Sequence, residues 1–362
     1  MRLGVESALV EGRIRHGDVE VVDGEVVAVG LRGPGSGLAV PGFVDLQVNG
    51  FAGVDLLGAD RDGYARAGEA LLATGTTAFQ PTFVTAPADA VVAALRAMPS
   101  GAIGPRVLGA HLEGPFLSPR YLGVHAAEYR RDPDTALLQT LLAAGPVRQM
   151  TLAPELPGAL ELVDALVERG ITVSAGHSDA TAAQAHLAFD RGVSTVTHVH
   201  NAMRPGTARE PGLAVAALAR SDVTVQMIVD GHHLAPDTVR MAWRAAAGRL
   251  ALVSDAVAAA GLGDGDYVLG TRTVHAQGGV VRGPEGQLAG SVVTMIEAVR
   301  NLHALGVALD KALGAASSVP ARIAGRPDLG RLEPGAPADI VVLDDRLEVV
   351  RVLLEGEVLV AG

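Results

Sequence analysis

The stretch ITVSAGHSDATAAQAHLAFDR, residues 171–191, decides how this chain is read. Its first five residues are apolar or β-branched and suit a short buried strand. Gly176 breaks that run, and residues 181–191 then follow a helical pattern rich in alanine. The result is a strand, a turn carrying His177, and a helix. Ser178 or Asp179 is placed to cap that helix. Capping accounts for the turn but not for a histidine at a strand end.

The same pattern recurs outward from there. Residues 106–111 (RVLGAH) run into LEGP with Glu113, residues 194–197 (STVT) into HVHNAM with His198, and residues 250–254 (LALVS) into Asp255. Further candidate strands lie at 43–48, 77–83, 148–152 and 223–229. Helical patterns fill 63–73, 87–97, 159–169 and 237–247. Pro87 suits the first position of its helix, where no backbone donor is needed. Eight strands, most followed by a helix, predict a parallel (β/α)8 barrel of the TIM type, an α/β fold. A doubly wound sheet is the alternative, but no G-x-G-x-x-G follows the first strand. Residues 261–286 read as a β-hairpin inserted after strand eight, placed to cover the barrel mouth.

The ends of the chain behave differently. Residues 18–29 form two short alternating strands around an Asp-Gly turn. Residues 338–362 add more strands. Neither end buries enough apolar surface alone, so the two are expected to pair as one small β-sandwich. The expected division is 1–40 plus 330–362 for that unit and 41–329 for the barrel.

Composition narrows the function. The chain has 362 residues, 49% hydrophobic and 19% charged, which suits a globular protein with a large core. Net charge is −11 and Lys311 is the only lysine, so nucleic-acid binding is not expected. There are no cysteines, so a metal must use imidazole and carboxylate. No apolar run approaches the ~18 residues of a membrane span. The start lacks the unbroken apolar core of a secretory signal, and a cytoplasmic location is expected.

In such barrels chemistry sits at the C-terminal ends of the strands. Glu113, His177, His198 and Asp255 fall there on strands three, five, six and eight. One carboxylate and two imidazoles can hold a divalent ion while leaving a position for water. His198 and His200 have a strand's period, so either could be the ligand. His111 should point the same way as Glu113 and support it. Adjacent His232 and His233 would face opposite ways, so one at most reaches the mouth. His16, His186, His275 and His303 carry no such signal.

Together these pieces resemble the N-acetylglucosamine-6-phosphate deacetylases of the amidohydrolase superfamily. The marks are PGFVDLQVNG (41–50), HLEGPFL (111–117), GHSDA (176–180), THVHNAM (197–203), REPGL (209–213), DGHHL (230–234), SDA (254–256) and LAGSVVTM (288–295). Their order and spacing are specific where each alone is weak. The resemblance implies Glu113, His177 and His198 as metal ligands and Asp255 as general base and acid. It implies His125 at the acetyl carbonyl. It assigns Val124, Asn201, Ala202, Arg209, Asp230, His233, Ala289, Gly290 and Ser291 to the substrate, with Arg209 and His233 at the phosphate. It also implies a homodimer, with some phosphate contacts crossing its interface. Many relatives carry His-x-His on strand one for a second metal. Here Gln47 and Asn49 stand in those places, so one divalent metal is expected: zinc first, with Fe2+, Co2+ or Mn2+ also suited. The competing expectations are an amidohydrolase acting on a cyclic amide or nucleobase, and a non-catalytic barrel that binds a sugar phosphate.

Overall fold

The structure is a computed structural model that describes residues 1–100 and 103–361. Residues 101, 102 and 362 of the expected domains lie outside the described residues. Eight parallel strands form the barrel: β1 (Phe43–Val48), β2 (Thr76–Val84), β3 (Ala110–Glu113), β4 (Val147–Leu152), β5 (Thr172–Ala175), β6 (Thr195–Val196), β7 (Thr224–Met227) and β8 (Leu250–Leu252). Each pairs in parallel with the next from β1 to β8. The seam between β8 and β1 closes through a single parallel bridge, Val48 to Ala256. Buried Asp45 covers the gap beside that bridge. Its Oδ1 accepts from the Gln47 and Ser254 backbone N–H, both at 3.2 Å. A side chain thus takes the place of ladder carbonyls. Burial pushes the Asp45 carboxyl up to about 6.

Helices α1 (Arg61–Ala73), α2 (Ala88–Ala97), α3 (Thr135–Ala144), α4 (Ala159–Val167), α5 (Ala182–Asp190), α6 (Leu213–Ala219), α7 (Pro236–Ala245) and α8 (Met295–Ala304) alternate with the strands. They bury their alanine- and leucine-rich faces against the barrel wall. Their starts follow capping chemistry. The Asp60 side chain accepts from Gly63 N, the Asp134 side chain from Ala136 and Leu137 N, and Thr294 forms a capping box with Glu297. Two local expectations are corrected. The cap of α5 is Thr181, in a capping box with Gln184, rather than Ser178 or Asp179. Those two are drawn to Glu155 instead: the Ser178 hydroxyl donates to Oε2 at 2.7 Å and the Asp179 N–H to Oε1 at 2.6 Å. Pro87 sits just before α2 rather than inside it.

Both termini build a six-stranded sheet in the order Arg13–His16, Ser7–Val10, Leu38–Pro41, Ile340–Leu343, Val349–Leu354, Glu357–Ala361. A second sheet, Asp18–Val22 with Glu25–Leu31, turns at Asp23-Gly24. The two share an apolar core that includes Leu3, Val5, Val19, Val26, Ile340 and Leu353. The insertion after β8 has three strands rather than a hairpin's two: Gly265–Leu269, Arg272–Gln277 and Val280–Arg282. Its apolar face packs on Val84 and Val257 at the barrel rim.

Candidate active site

The four strand-end residues converge at one end of the barrel. Glu113 closes β3, His177 and His198 follow β5 and β6 by two residues, and Asp255 follows β8 by three. Three of the four adopt a left-handed backbone: His177 at φ 48°, His198 at 28° and Asp255 at 50°. Such conformations cost of order 1–3 kcal/mol each in a residue with a β-carbon, and they cluster where function over-determines them. Each ends its strand's extended run at the rim. His198 and His200 both lie on a turn past β6, so strand alternation does not relate their side chains as expected. His200 stays outside the cluster, half-buried, with an unpartnered Nε2.

Three ligand atoms form a near-equilateral triangle. Glu113 Oε1 lies 3.2 Å from His177 Nε2 and 3.0 Å from His198 Nε2, and the two nitrogens are 3.2 Å apart. A tetrahedral ion with bonds of about 2.1 Å holds its ligand atoms about 3.4 Å apart. These donors therefore fit one divalent cation with little movement. His177 Nδ1 donates to the Tyr121 carbonyl at 2.8 Å, which leaves the Nε2 lone pair facing the centre.

His125 is also close: Glu113, His125 and His177 offer atoms all within 4.8 Å of one another. Its bonding makes it a donor rather than a ligand. Its Nδ1 accepts from the Thr85 N–H at 3.2 Å, so Nε2 carries the proton. That nitrogen stands 3.6 Å from Glu113 Oε2. Burial pushes the His125 imidazole down to about 4, with His177 adding to the effect, so the ring is neutral at pH 7.

The two carboxylates diverge. Burial alone would raise Glu113, but the close imidazoles of His125, His177 and His198 outweigh it and hold the group well below the usual carboxylate range. Asp255 is pushed up to about 8, by burial first and by the charge of Glu113 second. A cation between the two would draw Asp255 back down. The strand-one amides serve one carboxylate each. Gln47 Nε2 donates to Glu113 Oε1 at 3.0 Å, and Asn49 Nδ2 donates to Asp255 Oδ1 at 2.7 Å. Both point N–H groups where many relatives are expected to hold a second metal.

A cavity of ≈330 Å3 opens above this floor. Val124, His125, Asn201, Ala202, His233 and Gly290 of the expected substrate set line it. Asp230 does not, but its Oδ2 accepts from His233 Nδ1 at 2.7 Å. Ala289 and Ser291 are buried behind the wall, where Ser291 N–H donates to the Asp255 carbonyl at 2.9 Å. Gly290, at φ +65°, passes so close that a β-carbon would sit 2.7 Å from the Asp255 carbonyl oxygen. Arg209 is exposed on the loop before α6 and does not line the cavity. His111 lies deeper in the barrel, bonded to Thr151 Oγ1 at 2.7 Å rather than to Glu113.

The loop between β3 and α3 carries, besides the expected Val124 and His125, three cavity-lining residues the sequence did not single out: Arg120, Tyr121 and Gly123. Thr85 fixes the His125 tautomer and Tyr121 orients His177 through main-chain groups, which leave no side-chain signature. Arg120 had a weak signal, as a cation seven residues after Glu113.

The arrangement is a buried carboxylate–imidazole site at the mouth of a (β/α)8 barrel, with a donor set that can hold a divalent ion. Residues 38–359 match the amidohydrolase family, and the chain belongs to that family. Among its relatives, human N-acetylglucosamine-6-phosphate deacetylase is 40% identical over 96% of this chain and 89% of its own length. N-acetylgalactosamine-6-phosphate deacetylase of Escherichia coli O157:H7 is 36% identical over 97% of this chain and 96% of its own. The crystal structure of N-acetyl-D-glucosamine-6-phosphate deacetylase from Mycobacterium smegmatis superposes with a TM-score of 0.95 at 37% identity, covering 99% of this chain and 100% of the other. Family and buried donor set together support a divalent metal. Among the described residues, no helix is long and apolar enough to cross a membrane.

Proposed function

We propose that this chain hydrolyses the acetamide of N-acetyl-D-glucosamine 6-phosphate, giving acetate and D-glucosamine 6-phosphate in amino-sugar metabolism. The observation that carries the reading is the triangle of Glu113 Oε1, His177 Nε2 and His198 Nε2 with Asp255 beside it. The deacetylase relatives, which match nearly the whole chain, support the substrate.

Glu113, His177 and His198 would hold one divalent cation, proposed as Zn2+. When bound, that cation supplies Lewis acidity toward a water and the amide carbonyl. Asp255 takes the proton of the attacking water as general base. Asn49 holds one of its carboxylate oxygens, which leaves the other for the proton. His125 presents Nε2–H to the acetyl oxygen as negative charge gathers there. One such donor contributes about 3–4 kcal/mol in comparable sites. Asp255 then passes its proton to the departing nitrogen, and the C–N bond breaks to give the free amine and acetate. Asn201, Ala202, Val124 and the segment Ala289–Gly290–Ser291 shape the sugar pocket. His233, steadied by Asp230, stands at the phosphate end.

Arg209 lies outside its own chain's cavity, which supports its being offered to a second copy. We propose a homodimer on that ground, acting in the cytoplasm. Residues 41–329 form the catalytic unit in this reading, and 1–40 with 330–362 form the supporting β-domain.

The test is metal analysis of the purified protein alongside acetate release from the 6-phosphates of N-acetylglucosamine and N-acetylgalactosamine. The galactosamine relative makes the second sugar the rival substrate. About one metal per chain, with faster release from the glucosamine form, is the expected result. Release from neither sugar overturns the reading.

A further inference from the structure

We propose that Arg120 is the cation by which this chain reads the substrate's phosphate within its own cavity, and so a determinant of its preference for phosphorylated sugars. The inference rests on the deacetylase reading above. Arg120 is the only arginine or lysine among the residues lining the cavity. The other basic side chains there are His125, His177 and His198 at the floor, engaged with Glu113, and His233, engaged with Asp230. A dianionic phosphate entering this space meets one permanent positive charge from the same chain.

Arg120 is also free to turn toward such a group. Its side chain is 72% exposed and rests on Asp179, with Nη1 3.0 Å from Oδ2. Asp179 does not depend on it. The other carboxylate oxygen takes Arg204 Nε at 2.8 Å. Two guanidinium groups thus share one carboxylate. An exposed ion pair contributes little. A phosphate offers a guanidinium two parallel charge-assisted bonds. Arg120 can therefore exchange Asp179 for phosphate while Arg204 keeps Asp179 satisfied.

The loop makes this contact more than peripheral. Tyr121, the next residue, holds His177 by its carbonyl at 2.8 Å. The Gly123 carbonyl accepts from Gln287 Nε2, just past the insertion, at 3.4 Å. His125 supplies the donor at the floor. Seven residues, 119–125, thus carry the cavity's arginine, the orienting group of a metal ligand and the donor for the acetyl oxygen. A phosphate held by Arg120 would anchor that loop as well as the sugar.

The experiment compares wild type, R120A and R120K in two measurements. One is kcat/KM for N-acetylglucosamine with and without its 6-phosphate. The other is calorimetric binding of glucosamine 6-phosphate against glucosamine. In R120A the preference for the phosphorylated form should fall about tenfold to a hundredfold in both, as a rise in KM and Kd rather than a loss of kcat. R120K should recover part of it, because lysine restores the charge without the fork. A preference kept within about twofold in R120A overturns the inference and leaves the deacetylase reading standing. So does an equal loss on both sugars, which marks a role in holding the loop. A wild type that releases acetate from neither sugar takes the inference down together with the reading.

Discussion

The barrel mouth and the two-sheet terminal unit use the same unusual backbone for opposite ends. In the terminal unit, Glu11, Asp23 and Glu355 have φ near +50° and each is followed by a left-handed glycine. These are tight hairpin turns with polar side chains toward water, and an Asp-Gly pair announces one of them in the sequence. At the mouth, His177, His198 and Asp255 take similar φ values while buried. No left-handed glycine follows them, and their side chains are charged or polar. The terminal unit pairs each of its buried carboxylates with donors: Asp18 Oδ1 accepts from Val5 N–H at 3.1 Å and Val19 N–H at 2.8 Å, and Asp339 accepts from Arg106 Nε at 2.7 Å. The mouth instead packs Glu113 and Asp255 close enough to disturb each other. One region is built for stability. The other gathers destabilising features that the barrel wall holds in place, which is the mark of a site kept for chemistry.

The sharpest break of that contrast is Asp255→Asn. Turnover should fall by about 10^2–10^4 while metal and substrate still bind. Near-normal acetate release from the metal-loaded variant would remove Asp255 from the chemistry. The counterpart in the other region is Ile340→Ala, deep in the terminal core. It should lower unfolding stability by about 2–5 kcal/mol with little change in kcat at a temperature where the variant stays folded. A large kcat loss under those conditions would mean that the two regions are coupled.

The seam gives a third test. Asp45 titrates near 3.8 unfolded and about 6 folded, because burial disfavours its charged form. The unfolded chain loses this proton first as pH rises. Stability should therefore fall between pH 4 and pH 6 and level off above, by on the order of 3 kcal/mol. Asp45→Asn should remove that slope. Its oxygen can still accept from the Gln47 and Ser254 N–H groups, and its amide can donate to the Ser254 hydroxyl. Urea unfolding of both proteins across this range is the check, and equal slopes would contradict it.

The smallest expected effect comes from Gln47→Leu, which removes the donor on Glu113 and leaves the triangle intact. Metal affinity should drop about tenfold to a hundredfold. An unchanged affinity in a chelator competition would show that Gln47 contributes nothing to holding the ligand.

The sequence by itself determined the barrel, the pairing of the two ends and the four strand-end residues. Each has a one-dimensional signature. Strand and helix differ in period, an Asp-Gly pair marks a hairpin, and a chemically useful residue just past an apolar run sits at the rim of a parallel barrel. What only the tertiary structure decided depends on groups far apart in the chain. Capping at Thr181 rather than Ser178 followed from Glu155 competing for Ser178 and Asp179. The tautomer of His125 was set by a backbone N–H forty residues away at Thr85. The separation of the two carboxylates' proton affinities arose from burial and from neighbours that meet only when the barrel closes. Periodicity is local and survives in a string of letters; hydrogen-bond partners and desolvation exist only in three dimensions.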